Sequence, residues 1–185
     1  HRGGVFTVET RSDRFSAPKL ILAAGLGVPP LAAMLDIKIP VRPERGQILV
    51  TERLHPVLPY PLSGMRQTAE GSLLFGASNE QVGCNTTVTT GVIRQVASRA
   101  VEAFPCLSTV RILRSWGALR PLTPDEFPIY HESKTYPGAF ALTSHSGVSL
   151  APLYATHIPH WIVSGEKPRG FDAFDLRRFH VPGNT

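Results

Sequence analysis

The sequence has few cysteines, no run of like charges and no long apolar stretch, and each shortage excludes a class of protein. Cys84 and Cys106 are the only two cysteines in 185 residues, and they form no Cys-x-x-Cys pair, so neither a zinc site nor a dithiol redox centre is indicated. The 19 basic and 14 acidic residues give a net charge of +5, but the basic residues are scattered, which argues against a nucleic-acid-binding protein. No stretch is long and apolar enough to predict a transmembrane segment.

The remaining composition is that of a folded protein. Hydrophobic residues make up 42% and charged residues 18% of the chain, which is typical of a globular domain. A chain of this length can bury about 70% of its unfolded surface, so it needs no disulfides. Reduced cysteines then predict a cytoplasmic location, with peripheral attachment to the inner membrane within a complex as a variant of that expectation.

Hydrophobic periodicity predicts mostly strands, with two long helices. The predicted strands cover 5–10, 14–17, 19–25, 41–51, 66–68, 73–77, 111–119, 129–130 and 139–144. The predicted helices cover 91–104, after a Thr90 cap, and 150–163, where Pro159 is expected to disturb the helix. The run 20–25 is apolar throughout, as in a strand buried on both faces of a parallel sheet. The fold class is therefore α+β, a mostly antiparallel sheet with flanking helices.

Arg120 is the first candidate binding residue. It stands between Leu119 and Pro121 at the end of a predicted strand, and the proline biases it toward extended backbone. Its guanidinium could hold a carboxylate through two parallel hydrogen bonds. The alternative is an ordinary surface arginine, which composition alone favours.

The segment from Ser144 to Ser149 is the second candidate, because it leads directly into a predicted helix. The free N–H groups and the dipole at a helix start stabilise negative charge, although an ordinary serine-rich cap explains the pattern equally well. Ser146 is not predicted to be a nucleophile, since Ser144 stands where a nucleophile elbow requires glycine. His145 could carry a proton or could serve only as a hydrogen-bonding loop histidine.

Three other motifs favour structural interpretations. The Gly25-x-Gly27 pair lacks the third glycine of a dinucleotide fingerprint, because Pro30 occupies that position. The His157-x-x-His160 spacing is interpreted as two solvent-facing histidines, and no metal site is predicted. Asp125 and the next residue, Glu126, project in different directions, which predicts a solvated loop.

Five segments carry a family resemblance. They are LILAAG at 20–25, RPERGQ at 42–47, GSLLFGASNE at 71–80, WGALRPLTPD at 116–125 and HSGVSLAP at 145–152. In this order they resemble the FAD-dependent amino-acid and amine oxidoreductases of the D-amino acid oxidase, glycine oxidase and sarcosine oxidase group. Each segment alone is a weak signal, whereas five in the family's order are fairly specific.

The resemblance implies roles for individual residues. Arg120 would hold the substrate carboxylate, and hydride would pass from the amine-bearing carbon to FAD, leaving an imine. The cofactor-binding residues would be Gly25, Gly46, Gly117, His145, Ser146, Gly147, Val148 and Ser149. FAD would be bound non-covalently, since Ala118 stands where covalently flavinylated members carry cysteine.

The resemblance also implies a domain organisation. Residues 1–41 would be a remnant of the FAD-binding domain, 42–140 the substrate domain, 141–166 the return into the FAD-binding domain, and 167–185 a surface tail. The family's N-terminal glycine-rich motif does not occur in the sequence. We therefore expect the chain to correspond to about the last half of such a protein and to bind FAD weakly or not at all.

The expected partners are a small amine substrate bearing a carboxylate and, by resemblance, other subunits of a heteromeric dehydrogenase. The sequence leaves oxidase and dehydrogenase activity as open alternatives. The rival function is a non-catalytic binding or assembly module, or a subunit fragment, that keeps the substrate-domain fold.

Overall fold

The computed structural model describes residues 1–179 and has the predicted α+β architecture. The strands are β1 (Phe6–Glu9), β2 (Arg14–Ala17), β3 (Leu20–Leu22), β4 (Arg42–Arg53), β5 (Met65–Gln67), β6 (Ser72–Phe75), β7 (Ile112–Leu122), β8 (Ile129–Glu132) and β9 (Ala139–Thr143). The α-helices are α1 (Val28–Ala33), α2 (Thr90–Ala103) and α3 (Ala151–Ser164). Short 3₁₀ segments cover Gly25–Gly27, Pro105–Thr109, Phe171–Phe174 and Leu176–Phe179.

The described strands form three sheets. β1 and β2 make an antiparallel hairpin, and four strands form a second sheet in the order β5-β6-β4-β7. The third sheet has the order β3-β9-β8, in which β3 runs parallel to β9 and β8 runs antiparallel to it. The parallel pairing of Leu20 with Ala139 confirms the predicted parallel strand. Burial on both faces was wrong, because β3 lies at the edge of its sheet and Ile21 is 42% exposed.

One compact unit contains residues 1–42 and the described part of the chain from Pro121 onward. All five residues of β9 are buried, because its two faces pack against different elements. Ala141 belongs to a cluster with Val28 and Ala32 of α1. Phe140 and its second neighbour Leu142 belong to a cluster with residues of α3. The period-two alternation of a strand thus places a helix against each face of the sheet.

The other compact unit contains residues 43–120. Its core brings Leu49, Leu73 and Phe75 of the four-stranded sheet together with Val96 and Ala100 of α2. The helix ends before Pro105, which opens the next 3₁₀ segment, as expected where a proline cannot continue an α-helix.

Some element and domain bounds differ from those expected from the sequence. The predicted substrate-domain segment 42–140 is longer than the unit 43–120, because β8 pairs with β9 in the sheet of the first unit. β7 continues through Pro121 to Leu122. It lies at the edge of its sheet, where a missing N–H is tolerated. α3 is continuous across Pro159.

The segment after Lys167 was predicted to be a surface tail, but several of its residues are buried. Phe171 stacks on Tyr130 with 4.7 Å between ring centroids, and Phe171, Asp175 and Leu176 are buried. Residues 180–185 of the predicted tail lie outside the described residues. Within residues 1–179, no helix has both the length and the apolar character needed to cross a bilayer.

Candidate functional site

The guanidinium of Arg120 lies directly over the backbone of Gly46. A Cβ atom built on Gly46 would collide with Nη2 of Arg120 and would lie 2.7 Å from its Cζ. Real Cβ atoms do not approach neighbours this closely, so only glycine at position 46 permits the observed position of the guanidinium. Gly46 therefore accommodates Arg120, a contact within the chain that the sequence alone did not identify.

Oxygen acceptors hold one end of the Arg120 guanidinium. Nη1 donates to Oδ1 of Asn79 at 2.9 Å, to the carbonyl of Ser78 at 3.2 Å and to Oε1 of Glu44 at 3.2 Å. Nη2 donates to the same Ser78 carbonyl at 3.2 Å. Among the described residues, Nε of Arg120 has no hydrogen-bond partner. A carboxylate could therefore accept two parallel hydrogen bonds from the Nε and Nη2 edge of this guanidinium.

Arg45 and Gln47 project from the opposite face of β4, where they contact Glu80. Arg45 forms an ion pair with Glu80 at 2.5 Å, and Gln47 Nε2 donates to Oε1 of Glu80 at 2.9 Å. The hydrogen bond from Arg45, together with those from Ser78 and Gln47, outweighs burial and lowers the pKa of Glu80 to about 2. Glu80 is therefore ionised at physiological pH, so this buried network holds a full ion pair.

Gly117 and Gly25 each lie near residues that are distant from them in the sequence. A Cβ on Gly117 would lie 2.7 Å from the Thr86 carbonyl oxygen and 3.4 Å from Cδ of Arg45. Gly25 has a φ of +56°, which favours glycine, and its Cβ position is 4.0 Å from Cγ of Pro121. The close Thr86 carbonyl accounts for Gly117 and the positive φ accounts for Gly25, and the predicted contact of both with a cofactor stays a prediction.

The residues between β9 and α3 form an exposed turn. The amide of Leu150 donates to the carbonyl of Ser146 at 3.0 Å, and that of Ala151 donates to the carbonyl of Val148 at 3.2 Å. Within the described chain, the N–H groups of Gly147, Val148 and Ser149 have no hydrogen-bond partner. Because these three donors precede a 14-residue helix, the helix dipole adds to their attraction for negative charge.

A cavity of about 340 Å³ adjoins this turn within the first compact unit. Its lining residues are Glu126, Phe127, Pro128, Tyr130, His145, Ser146, Ser149, Leu150, Leu153, Phe171 and Phe174. Burial, and secondarily the neighbouring Tyr154, raises the pKa of Tyr130, so its phenol stays protonated. The aromatic residues of this lining were not predicted to meet. Phe171 and Phe174 lie 40 or more positions after Phe127 and Tyr130, and they reach the cavity only because the tail folds back.

Asp125 lies in the exposed loop predicted for it, and it also has a charged partner there. Nε and Nη2 of Arg178 donate to the two carboxylate oxygens of Asp125 at 2.7 and 3.1 Å. This hydrogen bonding, together with the N–H of Phe127, lowers the pKa of Asp125 below its usual value despite partial burial. The paired carboxylate fixes the loop after β7 onto the tail, and no local pattern around Asp125 indicates a partner 53 residues away.

Comparison with known proteins identifies the family. Residues 1–161 match the sequence model of the family described as FAD dependent oxidoreductase. An opine oxidase subunit of Rhizobium meliloti is 41% identical over 161 residues, covering 87% of this chain and 43% of the relative. The protein of the same name from Agrobacterium tumefaciens (strain Ach5) is 37% identical over 178 residues, covering 96% and 48%. The chain thus spans less than half the length of these curated relatives.

Solved structures share the fold. The L-proline dehydrogenase from P. horikoshii superimposes with a TM-score of 0.86 at 22% identity, covering 94% of this chain and 50% of that one. The glycine oxidase from Geobacillus kaustophilus gives a TM-score of 0.82 at 22% identity, covering 97% and 49%. These matches confirm the α+β fold, and the family match confirms the resemblance carried by the five sequence segments. The chain therefore belongs to the family of FAD-dependent oxidoreductases.

Proposed function

We propose that this chain supplies the substrate-binding part of an FAD-dependent enzyme that oxidises an amino acid or a secondary amine. The observation that carries the proposal is the Arg120 guanidinium, which protein oxygens hold at its Nη1 and Nη2 end, while Nε has no hydrogen-bond partner among the described residues. An arginine fixed in this way can bind a carboxylate bidentately and orient the attached carbon.

The residues present fit the cofactor of this family at the turn before α3. Gly147 has no neighbour closer than 3.9 Å to its Cβ position, so a planar ring system can approach the backbone. The unpartnered N–H groups of Gly147, Val148 and Ser149 suit the electron-rich pyrimidine edge of a flavin. His145 and Ser146, exposed in the same turn, would flank that contact. When bound, FAD accepts hydride equivalents from the carbon that bears the amine.

The chain's own contribution to the reaction is binding and orientation. Arg120 holds the carboxylate, and Glu44 beside it limits the positions that the guanidinium can take. The helix start at Gly147 to Ser149 favours negative charge on the group it faces. A substrate whose amine is bound neutral needs no strong base, so the proposal assigns no acid–base pair to the chain.

The names of the relatives support the substrate class. Glycine oxidase is named for an amino acid, which carries both an amine and a carboxylate. The opine oxidase relative is named as one subunit of its enzyme. Its name supports a heteromeric assembly, so we propose a partner subunit for the enzyme that contains this chain.

Substitution of Arg120 tests the proposal. In the enzyme that contains this chain, Arg120→Ala should raise KM for a carboxylate-bearing amine about 10- to 100-fold, as expected for loss of a charged hydrogen-bonded contact. KM for a plain amine without a carboxylate should change little. Arg111→Ala is the matched control, since Arg111 is an exposed arginine of the same unit, paired with Glu52. Equal effects on both substrate types would refute the carboxylate role.

The conservative substitution tests the geometry. Arg120→Lys keeps the charge but cannot make the forked contact, so it should also raise KM for the carboxylate substrate, although less than alanine. Steady-state kinetics with the same pair of substrates provide the measurement. Unaltered kinetics in Arg120→Lys would show that a point charge suffices, and would contradict bidentate binding.

A further inference from the structure

The two faces of β4 contact two different charged side chains, Arg120 on one face and Glu80 on the other. Glu44 and Gly46 contact the Arg120 guanidinium. Arg45 and Gln47, the alternate residues, contact Glu80 on the opposite face. Because successive side chains of a strand point to opposite sides, the backbone of β4 lies between Arg120 and the Glu80 network.

The segment from Ser78 to Glu80 connects the two faces. Ser78 presents its carbonyl, and Asn79 its side-chain oxygen, to Nη1 of Arg120. The hydroxyl of Ser78 accepts from the N–H of Gln47 at 2.9 Å and donates to Oε1 of Glu80 at 2.6 Å. Ser78 and Asn79, which accept hydrogen bonds from Arg120, therefore directly precede Glu80 in the sequence.

Several bonds fix Glu80 itself. Its backbone exchanges two hydrogen bonds with that of Arg45, at 2.9 and 3.0 Å. Its carboxylate accepts hydrogen bonds from Arg45, Gln47 and Ser78. Arg45 also donates to the Thr87 carbonyl at 2.6 Å. The Arg45 side chain is 3% exposed. A buried ion pair adds little net stability compared with an apolar pair of the same shape, so positional control is a stronger reason for this arrangement than stability.

We propose that Arg45, Gln47 and Glu80 are positioning residues for Arg120. They fix the Ser78–Asn79 acceptors that orient the guanidinium, and so they determine where a substrate carboxylate can bind. The inference rests on the proposed function for the role of Arg120 toward substrate, but the fixing of the guanidinium by the network can be measured without any substrate or flavin.

Side-chain NMR of the 185-residue chain provides that measurement. The ¹⁵N heteronuclear NOE of the Arg120 Nε–Hε group, recorded at mildly acidic pH where guanidinium protons exchange slowly, reports how rigidly the group is held. In Glu80→Gln we expect this NOE to fall well below its value in the unmodified chain. Glu52→Gln is the matched control, since Glu52 is also on the four-stranded sheet and pairs with Arg111 instead of Arg120.

Ser78→Ala provides a second variant in case Glu80→Gln does not fold. It removes only the hydroxyl that links Gln47 and Glu80 and keeps the carbonyl that accepts from Arg120. We expect the Arg120 NOE to fall here too, by a smaller amount. An unchanged NOE in the folded Glu80 and Ser78 variants, or an equal fall in Glu52→Gln, would overturn the proposal.

A double-substitution cycle tests the consequence for substrate. Glu80→Gln should raise KM for a carboxylate-bearing amine about tenfold, since misplacing an orienting group by about 1 Å can cost about 100-fold in rate. Combined with Arg120→Ala, it should add almost nothing, because residues that act through one group are non-additive. Full additivity would show that Glu80 acts independently and would overturn the positioning role.

The two proposals fail in distinguishable ways. If Arg120→Ala affects carboxylate and plain amine substrates equally, the proposed function is wrong, whatever the NOE shows. If Arg120→Ala is selective for the carboxylate but Glu80→Gln changes neither the NOE nor KM, the proposed function stands and the positioning role is wrong.

Discussion

At the scale of single residues, Gly46 has the most direct link to the site. Gly46→Ala would force the Arg120 guanidinium away from its acceptors, since the added Cβ would occupy the space of Nη2 and Cζ. We expect KM for a carboxylate substrate to rise about tenfold, with only a small loss of stability, because the clashing atoms are the far end of a flexible side chain. The measurements are steady-state kinetics and urea unfolding.

Gly91→Ala is the control for the Gly46 substitution. Gly91 lies in α2 with nothing within 4 Å of its Cβ position. Alanine in a helix should stabilise the chain by about 0.5–1 kcal/mol and should leave substrate kinetics unchanged. A Gly46→Ala variant with unaltered KM would show that the guanidinium position is not critical for binding.

The lowered pKa of Glu80 predicts how the stability of the fold changes at acid pH. Its pKa is lowered from 4.5 to about 2 in the folded chain, so the folded state binds the Glu80 proton less readily than the unfolded state does. The resulting stabilisation is complete above the unfolded pKa, and it is lost as pH falls from about 4.5 to about 2. Urea unfolding across this range should show a shallower pH dependence in Glu80→Gln than in the unmodified chain.

Glu102→Gln serves as the matched variant for this pH experiment, because Glu102 is exposed on α2. The slope of unfolding free energy against pH should be shallower in Glu80→Gln than in Glu102→Gln. The same slope in Glu80→Gln as in the unmodified chain would contradict the ion pair with Arg45.

At the scale of elements, the tail after α3 depends on one arginine. All three nitrogens of the Arg178 guanidinium donate, to Asp125, to the Phe127 carbonyl, and to the carbonyls of Phe174 and Asp175. Arg178→Ala should therefore destabilise the docking of the tail by about 1–3 kcal/mol, because all the hydrogen bonds from this charged donor are lost together. Limited proteolysis should then cut the tail faster.

Arg169→Ala is the control for the tail, since Arg169 is an exposed arginine of the same segment. Its cleavage rate should match that of the unmodified chain. Equal cleavage rates in the Arg178 and Arg169 variants would show that the Arg178 contacts do not hold the tail.

The regular elements could be predicted from local patterns, whereas the polar contacts could not. The apolar run that forms β3 and the helical periodicity of α2 are short-range signals. The Ser78 carbonyl that accepts from Arg120 lies 42 residues before it, and nothing in the sequence near Ser78 marks this role. The tail has no hydrophobic period, because it is held by isolated aromatic contacts and by arginine pairs.

At the scale of the whole molecule, residues 43–120 form a unit with its own core. The resemblance implied a substrate domain that extends to residue 140, beyond the end of this unit, and strand patterns do not reveal which sheet a strand will join. The five segments of the resemblance identified the family, because their order along the chain is a whole-molecule property.

The separate core predicts that residues 42–122, which include β4 and β7 in full, fold as an independent polypeptide. Circular dichroism should show one cooperative thermal transition, and the NOE of the Arg120 Nε–Hε group should match that in the 185-residue chain. Gradual unfolding without a cooperative transition would mean that the core around Leu49 and Val96 is not sufficient by itself.

The alternation along β4 has a consequence for how this family can diverge. Inserting one residue before Glu44 within the strand would exchange its two faces and bring Arg45 to the place of Gly46 under the guanidinium, and removing one residue would bring Gln47 there. Length changes in homologues should consequently occur in the loops on either side of this strand, wherever the glycine and the arginine that it accommodates are both retained.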